Sequence, residues 1–162
     1  MKKSLLIFFL TFLLDMVYAQ QTYFNNRYDV NGDAEVSWNV VETDSGYIVV
    51  AGGWTSIIVK KIDFDGNNAG VKLYSDSGNV FYGGGPGSLI NTVDGGYSMA
   101  GYDLNNVMLW KFDKYLDTLW TRRYANSAWQ AALQCKQTND AGYILIGRTK
   151  VNDPDGDFWL IK

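Results

Sequence analysis

The sequence predicts an all-β protein built from antiparallel strand repeats of about 50 residues. A turn motif, Asp-x-Gly-Tyr, occurs three times, and each copy is followed by an apolar run of strand length. The turn aspartates are Asp44, Asp94 and Asp140, which are 50 and 46 residues apart. The chain holds only two prolines and shows no sustained helical period, so we expect little helix.

Two further motifs keep the same period. Lys61, Lys111 and Lys162 are 50 and 51 residues apart, and Tyr74 and Tyr124 are 50 apart. Motifs that share one register are the signature of a repeat architecture. We therefore assign structural roles to the phased glycines and aromatic residues. These are Gly46, Tyr47, Gly96, Tyr97, Gly142, Tyr143, Trp120 and Trp159.

Each repeat contains the pattern of four strands. In the run after the first turn, Tyr47, Val49 and Ala51 point to one face and Ile48 and Val50 to the other, which is typical of a strand buried on both sides. The last strand alternates aromatic and charged residues, as a half-exposed outer strand does. A further short strand precedes each turn, so we expect four strands per repeat.

Four-stranded antiparallel units of this length indicate propeller-like blades. Two repeats are complete, at about 34–75 and 86–125, and a third, at about 128–162, stops after its third strand. Residues 22–28 carry the Arg-Tyr pattern of an outer strand. They are expected to pair with residues 157–162 and complete the third blade, which would also remove an exposed sheet edge.

Three blades are fewer than the four or more that a closed propeller typically needs. Three arrangements stay open. Two chains form a six-bladed ring as a homo-oligomer; or the chain is part of a longer propeller; or the three sheets pack as an open array or a small prism.

The first nineteen residues have the layout of a secretory signal peptide. Two lysines open the chain, an apolar run covers residues 5–14, and small residues precede a cleavage point after Ala19. The run is too short for the roughly 20 residues of a membrane-spanning helix. We therefore expect residues 1–19 to be removed and residues 20–162 to be exported to the periplasm, cell surface or medium, with no membrane contact after cleavage.

Charge and composition exclude several functions. After Ala19 the chain has 12 basic and 16 acidic residues, a net charge near −4, which argues against nucleic-acid or anionic-membrane binding. It has no histidine, so Ser-His-Asp and Cys-His catalysis and the usual zinc sites are not expected. Cys135, the only cysteine, is predicted to be buried and structural. These features predict a protein that is not an enzyme, although the many carboxylates leave a glycosidase pair open.

No cofactor is expected, with calcium as the one candidate. The segment that starts at Asp63 begins like an EF-hand loop, but its twelfth position is Tyr74 instead of the Glu that such a loop needs. A looser calcium site is placed at Asp153, Asp155 and Asp157. Asp-Gly turns explain the same residues without a metal.

Tryptophans are the other candidate binding residues, because aromatic faces suit the apolar side of a sugar ring. Trp120 and Trp159 keep the repeat phase and are expected to fill the space between sheets. Trp54 and Trp129 fall outside the phased motifs. We therefore choose Trp54 and Trp129 as candidate ligand-binding residues.

The motifs Asp94-Gly95-Gly96-Tyr97, Asp157-x-Trp159-Leu-Ile-Lys162 and Trp120-x-x-x-Tyr124 resemble repeats of secreted propeller-like proteins from Gram-negative bacteria. The resemblance covers nearly all of residues 22–162. It implies an architecture more than an activity. Proteins of that kind often belong to large surface or secreted proteins with a C-terminal sorting domain, which is not recognisable in this chain.

The sequence thus predicts a secreted, non-catalytic β-repeat protein that acts as a binding or structural module, with an unknown protein or a glycan as its partner. One alternative is a carbohydrate-binding, lectin-like propeller. Another is a fragment of a secreted hydrolase or lyase.

Overall fold

A computed structural model of the chain describes residues 23–30, 32, 35–52, 56–74, 82–83, 88–103, 106–125, 129–150 and 155–162. Within these residues the chain forms strands and no helix. The predicted signal peptide, residues 1–19, lies outside the described residues. The strands are β1 (Val36–Thr43), β2 (Gly46–Gly52), β3 (Ile57–Ile62), β4 (Asn68–Tyr74), β5 (Tyr82–Gly83), β6 (Leu89–Asn91), β7 (Tyr97–Tyr102), β8 (Asn106–Phe112), β9 (Thr118–Ala125), β10 (Gln130–Gln137), β11 (Tyr143–Thr149) and β12 (Asp157–Ile161).

The strands form three sheets that follow the three sequence repeats. The first sheet has the order β1-β2-β3-β4 and the third the order β10-β11-β12. In the second sheet β7, β8 and β9 follow in order, and two short strands, β5 and β6, share the place beside β7. All neighbouring strands pair antiparallel. The prediction of an all-β fold with antiparallel repeats is confirmed.

The second sheet packs between the other two. One of its faces meets the first sheet and the other meets the third, and alternate residues of β7 supply the two faces. Met99 belongs to the core shared with the first sheet and Ala100 to the core shared with the third. The first core contains Ile48, Val50, Ile57, Val59, Leu89, Tyr97, Met99, Met108, Trp110, Phe112 and Leu116, and the second contains Ala100, Val107, Leu109, Ala132, Cys135 and Leu145.

Each sheet therefore has two faces, which we name by the chain direction. The front face points toward the preceding sheet and the back face toward the following one. In the first sheet, Ile48 and Val50 lie on the back face against the second sheet. Tyr47, Val49 and Ala51 alternate with them and lie on the front face, as the sequence predicted.

The segment 22–28 is predicted to complete the third repeat. Its described residues, 23–28, form no strand and contact the first sheet. Asn26 Nδ2 and Tyr28 OH both donate to the carbonyl oxygen of Gly66, at 2.8 and 2.7 Å. Among the described residues, the expected pairing with residues 157–162 of the same chain is absent, because this segment is held at the opposite end of the sheet array.

The repeated Asp-x-Gly-Tyr turn uses its glycines in two ways. Gly95 takes a left-handed backbone with φ of +78°, which costs a glycine little. Gly96 has no such φ; a Cβ atom there would collide with the carbonyl oxygen of Phe112. In the third repeat Ala141 occupies the place of Gly95 and keeps the left-handed φ, at +59°. An alanine in this conformation is strained by about 1 kcal/mol.

This difference gives a matched pair of substitutions. We expect Ala141→Gly to raise the free energy of unfolding by about 1 kcal/mol and Gly95→Ala to lower it by a similar amount. A Cβ at Gly95 meets no atom within 4 Å, so conformation alone sets the effect. Urea unfolding of the two variants and the parent measures both. If both substitutions raised, or both lowered, the free energy of unfolding, this explanation would be contradicted.

Candidate functional site

Trp129 lies at the end of the sheets where β7 and β11 finish. It directly precedes β10 and is half-buried. Its ring meets the edge of the Tyr102 ring, with centroids 6.0 Å apart and planes at 74°. Lys150 Nζ lies 5.9 Å from the Trp129 ring centre, and the Lys150 N–H donates to the Trp129 carbonyl oxygen at 3.0 Å. An aromatic pair and a cation therefore meet at one point.

Two polar side chains beside Trp129 have unused hydrogen-bonding groups. Gln130 is 0% exposed, and it lies opposite Thr149 in the β10–β11 register. The Gln130 amide oxygen and nitrogen and the Thr149 hydroxyl have no hydrogen-bond partner among the described residues. A buried polar group without a partner costs about 1–3 kcal/mol. We call Tyr102, Trp129, Gln130, Thr149 and Lys150 the Trp129 cluster.

The other predicted site residues are only partly described. Trp54 and Asp153 lie outside the described residues. Asp155 lies in a turn before β12, where its carbonyl oxygen accepts a hydrogen bond from Arg148, and Asp157 is the first residue of that strand. In the described part of the chain no three acidic, histidine or cysteine side chains form a group that would hold a metal. The calcium site at 152–157 stays a prediction.

A cleft lies at the end of the sheets opposite the Trp129 cluster. Its volume is about 480 Å³, and it separates the β1–β2 turn from the β6–β7 turn. Glu42 and Asp44 line one side, and Asn91 and Tyr97 line the other. Burial, followed by the negative charge of Asp44, raises the pKa of Tyr97. The cleft is wide and acidic. Some of its described polar groups are already used in hydrogen bonds that stabilise the fold, such as the bond from Asn91 Nδ2 to the Glu42 carbonyl oxygen.

The phased lysine and aspartate of the second repeat form a clamp next to this cleft, in which the lysine is buried and the aspartate is half exposed. Lys111 Nζ donates to Asp94 at 3.0 Å, to the Thr92 hydroxyl oxygen at 3.1 Å and to the Phe112 carbonyl oxygen at 2.9 Å. The Lys111 side chain is 5% exposed. All three ammonium protons are thus used, and the clamp ties the β6–β7 turn to the end of β8.

The clamp changes from repeat to repeat. Lys162 Nζ lies 2.8 Å from the Asp140 carboxylate in the third repeat, but this pair is exposed, with 60% of the Lys162 side chain in solvent. In the first repeat Lys61 Nζ donates instead to the Lys114 carbonyl oxygen of the second sheet, at 3.1 Å. The phased lysines therefore stabilise turns and contacts between sheets.

Another pair of phased carboxylates closes the turns that follow β3 and β8. Asp63 accepts hydrogen bonds from the backbone N–H groups two and four residues further on, at 3.0 and 2.7 Å, and Asp113 accepts the equivalent pair at 2.8 Å each. Hydrogen bonds donated by the backbone N–H and the side-chain amide of Asn67 are the main cause of the lowered pKa of Asp63. These carboxylates satisfy turn backbone, which is the role that Asp-Gly turns predict.

Cys135 lies in the core between the second and third sheets. Its Sγ atom is 3.1 Å from the Ser88 carbonyl oxygen, and burial raises the pKa of the thiol to about 12. The prediction that Cys135 is buried is confirmed. A thiol of this pKa is a poor nucleophile at neutral pH.

Four of the aromatic residues assigned to structure lie at contacts between sheets. Tyr97 belongs to the first core, and Tyr143 and Trp159 pack against the second. Trp120 meets Tyr143 edge-on, with ring centroids 5.8 Å apart.

Sequence reasoning found Trp129 but missed its neighbours. Tyr102, Thr149 and Lys150 come from strand ends that only the fold brings together. A usable signal was present in Gln130, because a glutamine at an apolar position of a buried strand is uncommon.

Comparisons with known proteins leave the chain without an assigned family: no protein-family profile matches it, and no curated protein has a matching sequence. Among the described residues no helix is long and apolar enough to cross a lipid bilayer.

The clamp predicts unequal effects for two equivalent substitutions. Asp94→Asn should lower the free energy of unfolding by about 2 kcal/mol, because it leaves the buried Lys111 ammonium without its carboxylate. Asp140→Asn removes an exposed pair and should lower the free energy of unfolding far less. Denaturant unfolding at pH 7 measures both, and similar losses would show that burial of the lysine is unimportant.

The same residue gives a pH dependence. Hydrogen bonds from Thr92 and Lys111 lower the pKa of Asp94 to about 2, below its ordinary 3.8. A carboxyl group with a lowered pKa in the folded state stabilises the fold above its unfolded pKa, and this stabilisation is lost as the pH falls. We expect stability to decrease between pH 4 and 2, and to decrease less in Asp94→Asn. An unchanged slope in the variant would exclude Asp94 as the titrating group.

Proposed function

We propose that the protein is an exported, non-catalytic β-repeat protein whose three sheets are propeller-like blades and which acts by binding a partner or as a structural module. The observation that carries this proposal is the use of the phased polar residues. Asp63, Asp94 and Asp113 each accept hydrogen bonds that hold a turn, and Lys111 is buried in the clamp. Groups engaged in this way support folding and leave little for acid–base chemistry.

The blade-like arrangement rests on equivalent packing of successive sheets. The back face of the first sheet meets the front face of the second, and the back face of the second meets the front face of the third. Each interface uses the same repeat positions. Repeated packing of one face type on the next is the way in which blades are arranged in a propeller.

Export follows from the N-terminal pattern and has a direct test. Expressed in a Gram-negative host, the chain should be recovered outside the cytoplasm with Gln20 as its first residue. N-terminal sequencing of the exported protein checks this. A chain that keeps Met1 and stays in the cytoplasm would exclude the signal peptide.

A carbohydrate is the ligand class that the Trp129 cluster favours. The aromatic faces of Trp129 and Tyr102 suit the apolar face of a sugar ring, and the exposed Lys150 ammonium beside Trp129 offers a donor for its hydroxyl groups. The lectin-like alternative is therefore the second candidate function.

Glycan binding should depend on Trp129 and not on the structural tryptophans. An array of neutral and acidic oligosaccharides presented to the full chain identifies the tightest probe, which is then titrated by calorimetry. We expect Trp129→Ala to weaken its binding at least tenfold, whereas Trp120→Ala, on the outer strand β9, leaves it unchanged. No binding at millimolar glycan, or equal loss in both variants, would exclude this site.

Gln130→Leu separates binding from folding. The leucine keeps the approximate size of the buried side chain and removes both unpaired polar groups, so we expect the free energy of unfolding to rise by about 1 kcal/mol while glycan affinity, which depends on the Trp129 ring, stays unchanged. A destabilised variant would show that the Gln130 amide serves the fold.

A further inference from the structure

Residues 24–28 contact the first sheet in a particular way. The outer strand of each of the first two sheets makes the same kind of contact with the next sheet along the chain. Tyr28 OH donates to the Gly66 carbonyl oxygen at 2.7 Å, and Tyr74 OH on β4 donates to the Leu116 carbonyl oxygen at 2.5 Å. Gly66 and Leu116 are the same position of the repeated turn, and both have a left-handed φ, of +83° and +67°. Tyr28 thus makes the same contact with the first sheet that Tyr74 of β4 makes with the second sheet.

A ring contact repeats in the same way. The rings of Phe24 and Tyr47 are 6.2 Å apart, and those of Trp120 and Tyr143 are 5.8 Å apart. Trp120 belongs to the outer strand of the second sheet, and Tyr143 to the third sheet that follows it. We call residues 23–28 the N-terminal segment. It has the position of the outer strand of a sheet that would precede the first one, although none of its described neighbours is such a sheet.

The third sheet has no outer fourth strand among the described residues, and the N-terminal segment has the position of such a strand. Its last strand, β12, pairs with β11 on one side, and no described strand lies along its other edge. The second sheet, by contrast, has β9 along the equivalent edge of β8. One end of the array therefore has an outer strand without a sheet, and the other has a sheet without an outer strand.

The back face of the third sheet is apolar and open. Leu160 is 53% exposed and Phe158 is 82% exposed. Their counterparts on the second sheet, Leu109 and Val107, are 1% and 0% exposed because the third sheet covers them. Leu133 and Ile146 extend the same exposed surface. This face is as apolar as the equivalent face of the second sheet, which the third sheet covers. In the described part of the chain no sheet covers it.

The front face of the first sheet is only partly covered. Val71 and Leu73 on β4 belong to this face, because they lie opposite Lys60 and Ile58 on β3. Both side chains are exposed. A cavity of about 230 Å³ separates the sheet from the N-terminal segment. Further apolar side chains can therefore pack onto this face without displacing the segment.

We propose that two copies of this chain assemble head to tail into a ring of six sheets, in which the back face of each third sheet covers the front face of the partner's first sheet. The N-terminal segment of one copy adds as the fourth strand to β12 of the other. Six sheets fall within the range of four to eight blades that closes a propeller. Within one chain the same contact is blocked, because the second sheet separates the two ends.

The strand register follows from the second sheet. There Leu109 on β8 lies opposite Arg122 on β9. The phased lysines relate Leu109 to Leu160, and the phased tyrosines relate Arg122 to Asn26. The ring therefore places Leu160 of one copy opposite Asn26 of the other. This interface is independent of glycan binding, so the proposed function and the ring can fail separately.

Light scattering on a sizing column tests the ring with the full exported chain. We expect twice the mass of one chain for the parent and the mass of one chain for Phe158→Asp and for Leu160→Asp. Val93→Asp is the matched control, because Val93 is 85% exposed in the β6–β7 turn and lies on neither face; it should keep the mass of the parent. Circular dichroism checks that each variant is folded. A monomeric parent at all concentrations, or folded face variants that remain dimeric, would overturn the proposal.

A disulfide between copies tests the register. A chain with Asn26→Cys is mixed with a chain with Leu160→Cys and oxidised mildly; native Cys135 is buried and should not react. We expect a covalent product of twice the chain mass from the mixture and none from either variant alone. A product from Leu160→Cys alone would indicate packing of two third sheets back to back, and no product from the mixture would exclude the strand addition.

Discussion

Burial of both faces of the second sheet is the constraint on which the rest of the structure depends. Residues on both faces of β7 and β8 are buried and most of them are apolar, so exposing either face to water would be unfavourable. A single four-stranded unit has no second layer to cover such faces, and stacked units cover each other. The first and third sheets are thus required as covers. The same logic then applies to their own outer faces, which is why the two ends of the array are the chemically distinctive parts of the molecule.

Much of this fold could be predicted from local sequence patterns. The turn glycines, the apolar runs and the alternation of Ile48 with Val49 predict strands, turns and two-sided burial, because each depends on neighbours within a few residues. The Lys111–Asp94 clamp was only half visible. Its residues are phased, but a separation of 17 residues becomes a 3.0 Å contact only through the β7–β8 register. The N-terminal segment shows the same limit, since its pattern identifies an outer strand but not the sheet that receives it.

The candidate binding site was harder to predict for a related reason. Trp129 stood out because it breaks the repeat phase, whereas Tyr102, Thr149 and Lys150 follow strand ends whose convergence depends on how two sheets stack. Gln130 is the informative residue, because a buried amide with no partner among the described residues opposes stability by about 1–3 kcal/mol.

The edge of β12 connects the packing constraint with assembly. Natural sheets guard a free edge with charges, prolines or bulges, because an unguarded edge pairs with any strand that it meets. Asp157 and Lys162 stand at the two ends of this strand, but the four residues between them, Phe158 to Ile161, carry no charge. The edge adjoins the exposed apolar back face, so pairing and burial would act together on one incoming sheet element. The proposed ring satisfies both at once. It supplies the N-terminal segment, which is held on the first sheet in the place of an outer strand, and the position of that segment at the opposite end of the array requires that it come from a second molecule.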